Sequence, residues 1–329
     1  MKRFLALALV LAMLYACGNT ADKSVKHTNQ FAFEDSTSLT VSKTMETEAI
    51  NIWNWQTDGN KIYIQTSGQD SIVRIFDYPN MESGQTCFGR IGHANGEFIV
   101  TNWCETERGF GLYDMMQKKL FLYDADNGKV TEKAEYRLPT DEKGLALPFT
   151  YISQFNDSLF LMKRDGLETD LCLINMKSGK ELSRYHCDLR PKDNSPYTPY
   201  SYKFARIGNT VCIAYEHLDR VEFVNVTADM QLKPVCIIGE DGKKEMPADF
   251  SNLKRSFSCI TKSGDRFFCL RNDGKDNGSI VYEFSTNGDM KRIIKLDKKV
   301  ATILAGKEGL LLGYQEKESS GNVLVYKIK

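Results

Sequence analysis

Histidine is scarce in this chain of 329 residues. There are four, His27, His93, His186 and His217, and no two stand in an HExxH or H-x-H spacing. That argues against a histidine-built zinc hydrolase site. Charge of one sign is not in excess, with 43 Lys and Arg against 43 Asp and Glu, so the basic surplus of a nucleic-acid binder is missing. No CxxC pair occurs among the nine cysteines, which removes the usual redox and metal signatures. GxSxG elbows, P-loops and GxGxxG turns are absent. After Tyr15 no apolar stretch is long enough to cross a bilayer, and no window carries a 3.6-residue apolar stripe. Phe and Tyr are plentiful, 18 and 15 residues, and favour strands. Hydrophobic residues at 42% and charged residues at 26% place the bulk among folded globular chains.

The first residues read as an export address. Lys2 and Arg3 form a short positive region, and Phe4 to Tyr15 is an unbroken apolar run that ends at Ala16-Cys17. Such a run is too short for a membrane anchor and fits a cleaved signal. Leu14 at −3, Ala16 at −1 and Cys17 at +1 resemble the bacterial lipobox, in which the cysteine thiol is acylated and becomes the new N-terminus. Several acyl chains anchor a protein stably, whereas one is marginal. Residues 1–16 are therefore expected to be a signal peptide, and residues 17–30 a lipidated polar tether. Cleavage removes Lys2 and Arg3 and no acidic residue, leaving 41 basic against 43 acidic residues. That slight negative excess disfavours nucleic acid and anionic membrane surfaces as partners.

From about residue 48 a unit recurs: a Gly/Asn/Asp turn, a strand, a polar hairpin and a second strand. Its strand pairs are KIYIQT and SIVRIFD, FGLYD and KLFLYD, SLFLMK and DLCLIN, TVCIAY and RVEFVNV, RFFCLR and SIVYEFS, and LLLGY and NVLVYKI. Turns such as Gly59-Asn60, Gly208-Asn209, Gly264-Asp265 and Lys307-Glu308-Gly309 precede the pairs. The period near 50 residues is that of propeller blades rather than of a β-sandwich. The expectation is an all-β, six-bladed β-propeller of four-stranded antiparallel blades, spanning residues 31–329 as a single domain. The sixth copy ends without its outer strand, so an N-terminal strand, FAFED or SLTVSK within residues 31–43, is expected to close the ring and protect the edge.

Two segments carry a family resemblance. Gly89-Arg90-Ile91-Gly92-His93-Ala94-Asn95-Gly96-Glu97-Phe98 resembles the GxxGxGPGEF-type loop of six-bladed β-propeller lipoproteins of Bacteroidetes, which are TolB-like in fold and related to NHL-repeat propellers. Gln69-Asp70-Ser71-Ile72-Val73-Arg74-Ile75-Phe76-Asp77 is similar to the NHL-type strand. With the lipobox the resemblance covers nearly the whole chain, and Asn95 stands where the family loop usually has Pro. These motifs specify fold rather than activity.

Chemistry-bearing clusters are few. His93 and Glu97 share one loop, where an acid/base pair competes with a blade-to-blade turn. Asn272 to Gly278 lacks the register and closing Glu of a calcium loop and reads as a hairpin turn. Cys87, Cys172, Cys212, Cys236, Cys259 and Cys269 lie in apolar strand patterns as small buried hydrophobes, with Cys172–Cys187 and Cys259–Cys269 as conceivable bridges. Trp53, Trp55 and Trp103 read as packing between blades. Loops held on a rigid scaffold are the usual binding sites. The residues expected to bind a ligand on the loop face are Arg90, His93, Glu97, Tyr197, Tyr200, Tyr202, Asp249 and Arg255.

No metal, cofactor or catalytic residue is implied. The leading expectation is a monomeric, lipid-anchored binding or scaffold propeller for an envelope protein, peptide or glycan. The rival expectation is a glycosidase- or lactonase-like hydrolase or lyase, with carboxylates such as Glu48, Glu97 and Asp249 converging on the central channel. GNTADKS after Cys17 lacks both an acidic-Lys export cluster and an immediate Asp. It points to the outer membrane, on the periplasmic side rather than the cell surface.

Overall fold

The computed structural model describes residues 25–49, 51–67, 70–81, 85–94, 97–99, 101–164, 170–185, 200–240, 254–272, 278–317 and 320–328. Three short N-terminal strands come first: β1 (Lys26–Thr28), β2 (Ser36–Leu39) and β3 (Lys43–Thr47). A four-stranded meander follows, β4 (Ile52–Thr57), β5 (Lys61–Thr66), β6 (Val73–Asp77) and β7 (Thr86–Phe88). The next strands are β8 (Thr101–Glu105), β9 (Phe110–Asp114), β10 (Lys119–Asp126), β11 (Lys129–Arg137), β12 (Phe149–Gln154), β13 (Leu159–Arg164), β14 (Leu171–Asn175) and β15 (Lys180–Tyr185). Two further meanders run through β16 (Tyr202–Ile207), β17 (Thr210–Tyr215), β18 (Arg220–Val226) and β19 (Leu232–Gly239), then β20 (Phe257–Ser263), β21 (Arg266–Arg271), β22 (Gly278–Ser285) and β23 (Met290–Val300). The chain ends with β24 (Thr302–Ala305), β25 (Leu310–Glu316) and β26 (Gly321–Lys327).

The expected six blades of four strands are corrected by the hydrogen bonding. Among the described residues the strands form five sheets: four separate blade-sized sheets and one continuous eight-stranded sheet. In the large sheet two meanders join through their first strands, because β12 pairs in parallel with β8, Tyr151 opposite Trp103 and Ser153 opposite Glu105. Two of the separate sheets have five strands rather than four. β1 adds in parallel to β19 and β2 in parallel to β23. Lys26–Thr28 thus forms a strand within the segment read as a tether.

The last sheet lacks a fourth strand of its own, and β3 supplies it, pairing antiparallel with β26 from Thr47–Gly321 to Lys43–Val325. The closing strand is therefore not FAFED, and it takes only Lys43 from SLTVSK. Phe31 and Phe33 of FAFED pack instead against Tyr282 and Phe284, and Ser38 and Leu39 of SLTVSK belong to β2. The N-terminal segment thus crosses the outer edges of three successive sheets and covers strands that would otherwise expose unpaired backbone.

The middle strands of each meander are buried on both faces, which explains why their sequences are unbroken apolar runs rather than alternating ones. In β13, Leu159 and Leu161 join one core with Val211 and Ile213, whereas Phe160 and Met162 join another with Tyr113 and Leu120. Cores of this kind lie between all neighbouring meanders, including the one between the last sheet and the first, where Met45 and Val323 meet Ile62 and Phe76.

Hydrogen bonds between first strands close the ring. Trp103 Nε1 on β8 donates to Gln56 Oε1 on β4 at 3.0 Å. Arg206 Nη2 on β16 donates to Gln154 O on β12 at 2.7 Å. The Ala305 amide on β24 donates to Thr261 Oγ1 on β20 at 3.1 Å. Trp55 Nε1 on β4 donates to Ile303 O on β24 at 3.1 Å. Trp55 and Trp103 thus pack between neighbouring sheets, as their positions suggested. Trp53 does not; it is exposed.

Candidate functional site

In an up-and-down sheet, the starts of first strands and the turns between second and third strands share one end. The turns after first strands share the opposite end. The loop from Gly89 to Ile99 leads into β8 and therefore lies at the first end. It is held there by bonds from Gly92 N to Phe98 O at 2.9 Å and from Phe98 N to Arg90 O at 2.9 Å. Glu97 belongs to the loop's own framework: its Oε2 accepts from the Ala94 amide at 3.0 Å. A Cβ added at Gly92 would stand 1.9 Å from that oxygen, so a larger residue there would have to push the carboxylate aside.

Neighbouring loops lock onto this one. Gln117 Nε2, from the turn between β9 and β10, donates to Glu97 O at 2.9 Å. Lys118 Nζ in the same turn donates to Gly144 O in the loop before β12 at 2.7 Å. This alignment brings three large apolar side chains to the surface of adjacent loops: Ile91, Met116 and Leu145, which are 68%, 62% and 58% exposed. Trp53, at the start of β4, is 61% exposed at the same end. These four are the large hydrophobics left exposed among the described residues. Scattered single apolar side chains are ordinary on a surface, but a concentration on one face marks an interaction site.

The described members of the expected site are dispersed. Arg90 and His93 are exposed on the loop beside Ile91. Tyr202 is corrected from a contact residue to a core residue: it is buried, packs edge-on against Tyr215 at 5.8 Å, and lies under the Lys163 ammonium at 5.2 Å. Tyr200 is half-buried and packs against that same core. Arg255 is exposed just ahead of β20. Tyr197, Asp249, Cys187 and the lipid-attachment candidate Cys17 lie outside the described residues. Met116 and Leu145 were missed because YDMMQ and GLALP give no binding signal in sequence.

The channel interior is polar, and its buried carboxylate is paired. Glu105, at the end of β8, meets Lys262 Nζ of β20 at 2.7 Å and accepts from Tyr151 Oη of β12 at 3.5 Å. Burial, with the Glu105 charge adding to it, pushes the Tyr151 phenol well above its ordinary pKa, so it acts there as a donor. Of the carboxylates named for a catalytic channel, the two among the described residues do not converge on it. Glu48 is exposed and meets Arg74 at 3.7 Å, and Glu97 is held in its own loop. Among the described residues, no three His, Cys, Asp or Glu side chains form a group fit to hold a metal ion. The Cys259–Cys269 bridge that the sequence left open is also set aside by register: Cys259 pairs with Leu270, and Cys269 faces Ile260. Both thiols are free.

Two solved structures are similar to this chain over nearly its whole length. A Bacteroides fragilis protein named as an exported protein matches with a TM-score of 0.55 at 12% identity, covering 93% of this chain and 99% of that one. The Cps50 (Swd1) beta-propeller domain of Myceliophteria thermophila matches with a TM-score of 0.53 at 11% identity, covering 88% of this chain and all of that one. The fold is a β-propeller. At these identities the likeness concerns the propeller alone and carries no ligand or activity across. No family model and no curated protein matches the chain, so the TolB-like and NHL-like resemblance rests on the two segments that suggested it. Among the described residues the propeller has no helix long and apolar enough to cross a membrane.

Proposed function

We propose that this propeller is a lipid-anchored envelope protein that docks a protein partner through its loop face. The observation that carries the reading is the gathering of Ile91, Met116, Leu145 and Trp53 at one end of the sheets. Exposed aliphatic side chains favour a protein over a glycan, and Arg90 and His93 beside them supply the polar rim typical of such interfaces. Replacing Ile91, Met116 and Leu145 together by Asp is expected to leave the melting temperature within about 2 °C of the parent, since exposed positions contribute little to stability. It is expected to abolish cross-linking to the partner in intact envelopes. Cross-linked species unchanged in the triple variant would defeat the reading.

The anchoring part of the proposal rests on the apolar run that stops at Cys17. Cys17→Ser is expected to move the protein from the outer-membrane fraction to the soluble periplasmic fraction, because the acyl chains supply the membrane affinity. Retention of Cys17→Ser in the membrane fraction would count against it.

A further inference from the structure

We propose a second site, at the end of the channel opposite the loop face, that binds a small molecule bearing an oxyanion, either a carboxylate or a phosphate. The turns after β4, β8, β16, β20 and β24 surround a recess of about 300 Å³ there, lined by Asp58, Glu105, Glu107, Arg206, Lys262 and Lys307 among others. That volume is at the small end of ligand pockets.

The formal charges of these six residues cancel, but their commitments do not. Glu105 is held by Lys262 and Tyr151. Asp58 accepts from the amides of Asn60 and Lys61 at 2.8 and 2.9 Å, and from Tyr63 Oη at 2.8 Å. Both carboxylates are thus spent on the fold. Glu107 is 82% exposed and only reaches Arg206 Nη2 at 3.5 Å, a contact that water competes with.

The cations are less committed. Arg206 is 94% buried, and its Nη1 and Nη2 donate to Gly208 O and Gln154 O, each at 2.7 Å. Its guanidinium also lies over the Phe155 ring at 5.1 Å. Yet its buried Nε–H has no acceptor among the described residues. A buried charged donor left unmatched is costly and calls for an explanation. Lys307 makes no ion pair among the described residues, and its stem lies across Gly59. A Cβ there would fall 2.0 Å from Lys307 Cε and 2.5 Å from Nζ. Gly59, at φ +86°, therefore both permits the turn and seats the lysine. A guanidinium and an ammonium at one mouth, with the nearest carboxylate loosely held, are suited to an incoming oxyanion that displaces Glu107.

The test is calorimetric titration of the full chain at low ionic strength with citrate, inorganic phosphate and glucuronate, with glucose as the neutral counterpart of glucuronate. Citrate or glucuronate binding assigns a carboxylate, and phosphate binding assigns a phosphate. Glucose is expected not to bind. Lys307→Ala should weaken the bound anion by about tenfold, the worth of one charge-assisted hydrogen bond. Glu107→Gln should tighten it by removing the competitor. Both positions are exposed, so folding is retained. No heat from any of the three anions at millimolar concentration would overturn the proposal, as would equal binding of glucose and glucuronate. Affinities unchanged in both variants would do the same.

Discussion

Replacing Glu222 by alanine is expected to lower stability by about 3–5 kcal/mol, the cost of breaking a buried ion pair. For a chain of this size that is a fall in melting temperature on the order of 10 °C. Glu222 is fully buried on β18, and Arg220, two residues earlier on the same strand face, is 5% exposed. The pair is joined through Arg220 Nε and Glu222 Oε1, while Arg220 Nη1 donates to Glu240 O at 2.8 Å. The second carboxylate oxygen accepts from Tyr185 Oη on β15 at 2.7 Å, across to the eight-stranded sheet. Alanine would deprive a buried guanidinium and a phenol of one shared acceptor. Glu222→Gln, which keeps an acceptor for Tyr185 but not the charge, should fall between the two. Replacing both residues, as Arg220→Met with Glu222→Leu, should recover most of the loss, since an apolar pair avoids the desolvation altogether. Thermal unfolding of the four proteins checks this. A loss below about 1 kcal/mol in Glu222→Ala, the size typical of a surface pair, would show that the pair is solvated.

The middle strands were legible in the sequence because they are buried on both faces and so read as unbroken apolar runs. KIYIQT, SLFLMK and RVEFVNV each form strands where the repeats place them. β8 was marked only by Trp103, because Asn102 and Glu105 interrupt its apolar pattern. β1 was missed, and β2 was read only through SLTVSK and in another role, because KHT and STSL are short, polar edge strands that gain their structure from β19 and β23 rather than from propensity. The sheet count was not legible either. Parallel pairing of β8 with β12 depends on backbone register between distant segments, which no side-chain pattern records. The loop-face site was half legible. The Gly89–Phe98 motif located the loop, but only packing shows that Ile91 has no cover and that Met116 and Leu145 stand on neighbouring loops. The axial recess was present in the sequence as separate turns, at Gly59, Gly208, Gly264 and Lys307. Nothing short of ring closure shows that they meet.

Ring closure itself depends on β3, and the second large effect is expected there. Met45→Asp should destabilise the propeller by at least about 4 kcal/mol, the exceptional range reserved for an unpaired charge placed in a core. Met45 is 1% exposed and lies opposite Val323, within a core shared with Ile64, Leu304 and Leu312. A carboxylate there has no cation within that core and must either stay protonated or pull β3 away from β26. Detachment would expose the β26 edge and release the N-terminal segment that also covers β23 and β19, so aggregation should accompany the loss of stability. Its neighbour Glu46 points to solvent on the same strand, and Glu46→Ala should change stability by no more than about 0.5 kcal/mol. The contrast between adjacent positions separates loss of closure from a general intolerance of substitution in β3. Pairing residues 43–47 with the chain's last strand is also the longest-range strand pairing among the described residues. Its loop entropy is not recovered until the rest of the ring exists, so Met45→Asp should accelerate unfolding more than it slows refolding. Stopped-flow denaturant jumps on Met45→Asp and Glu46→Ala measure that split directly. Equal unfolding rates in the two variants would show that β3 closes nothing.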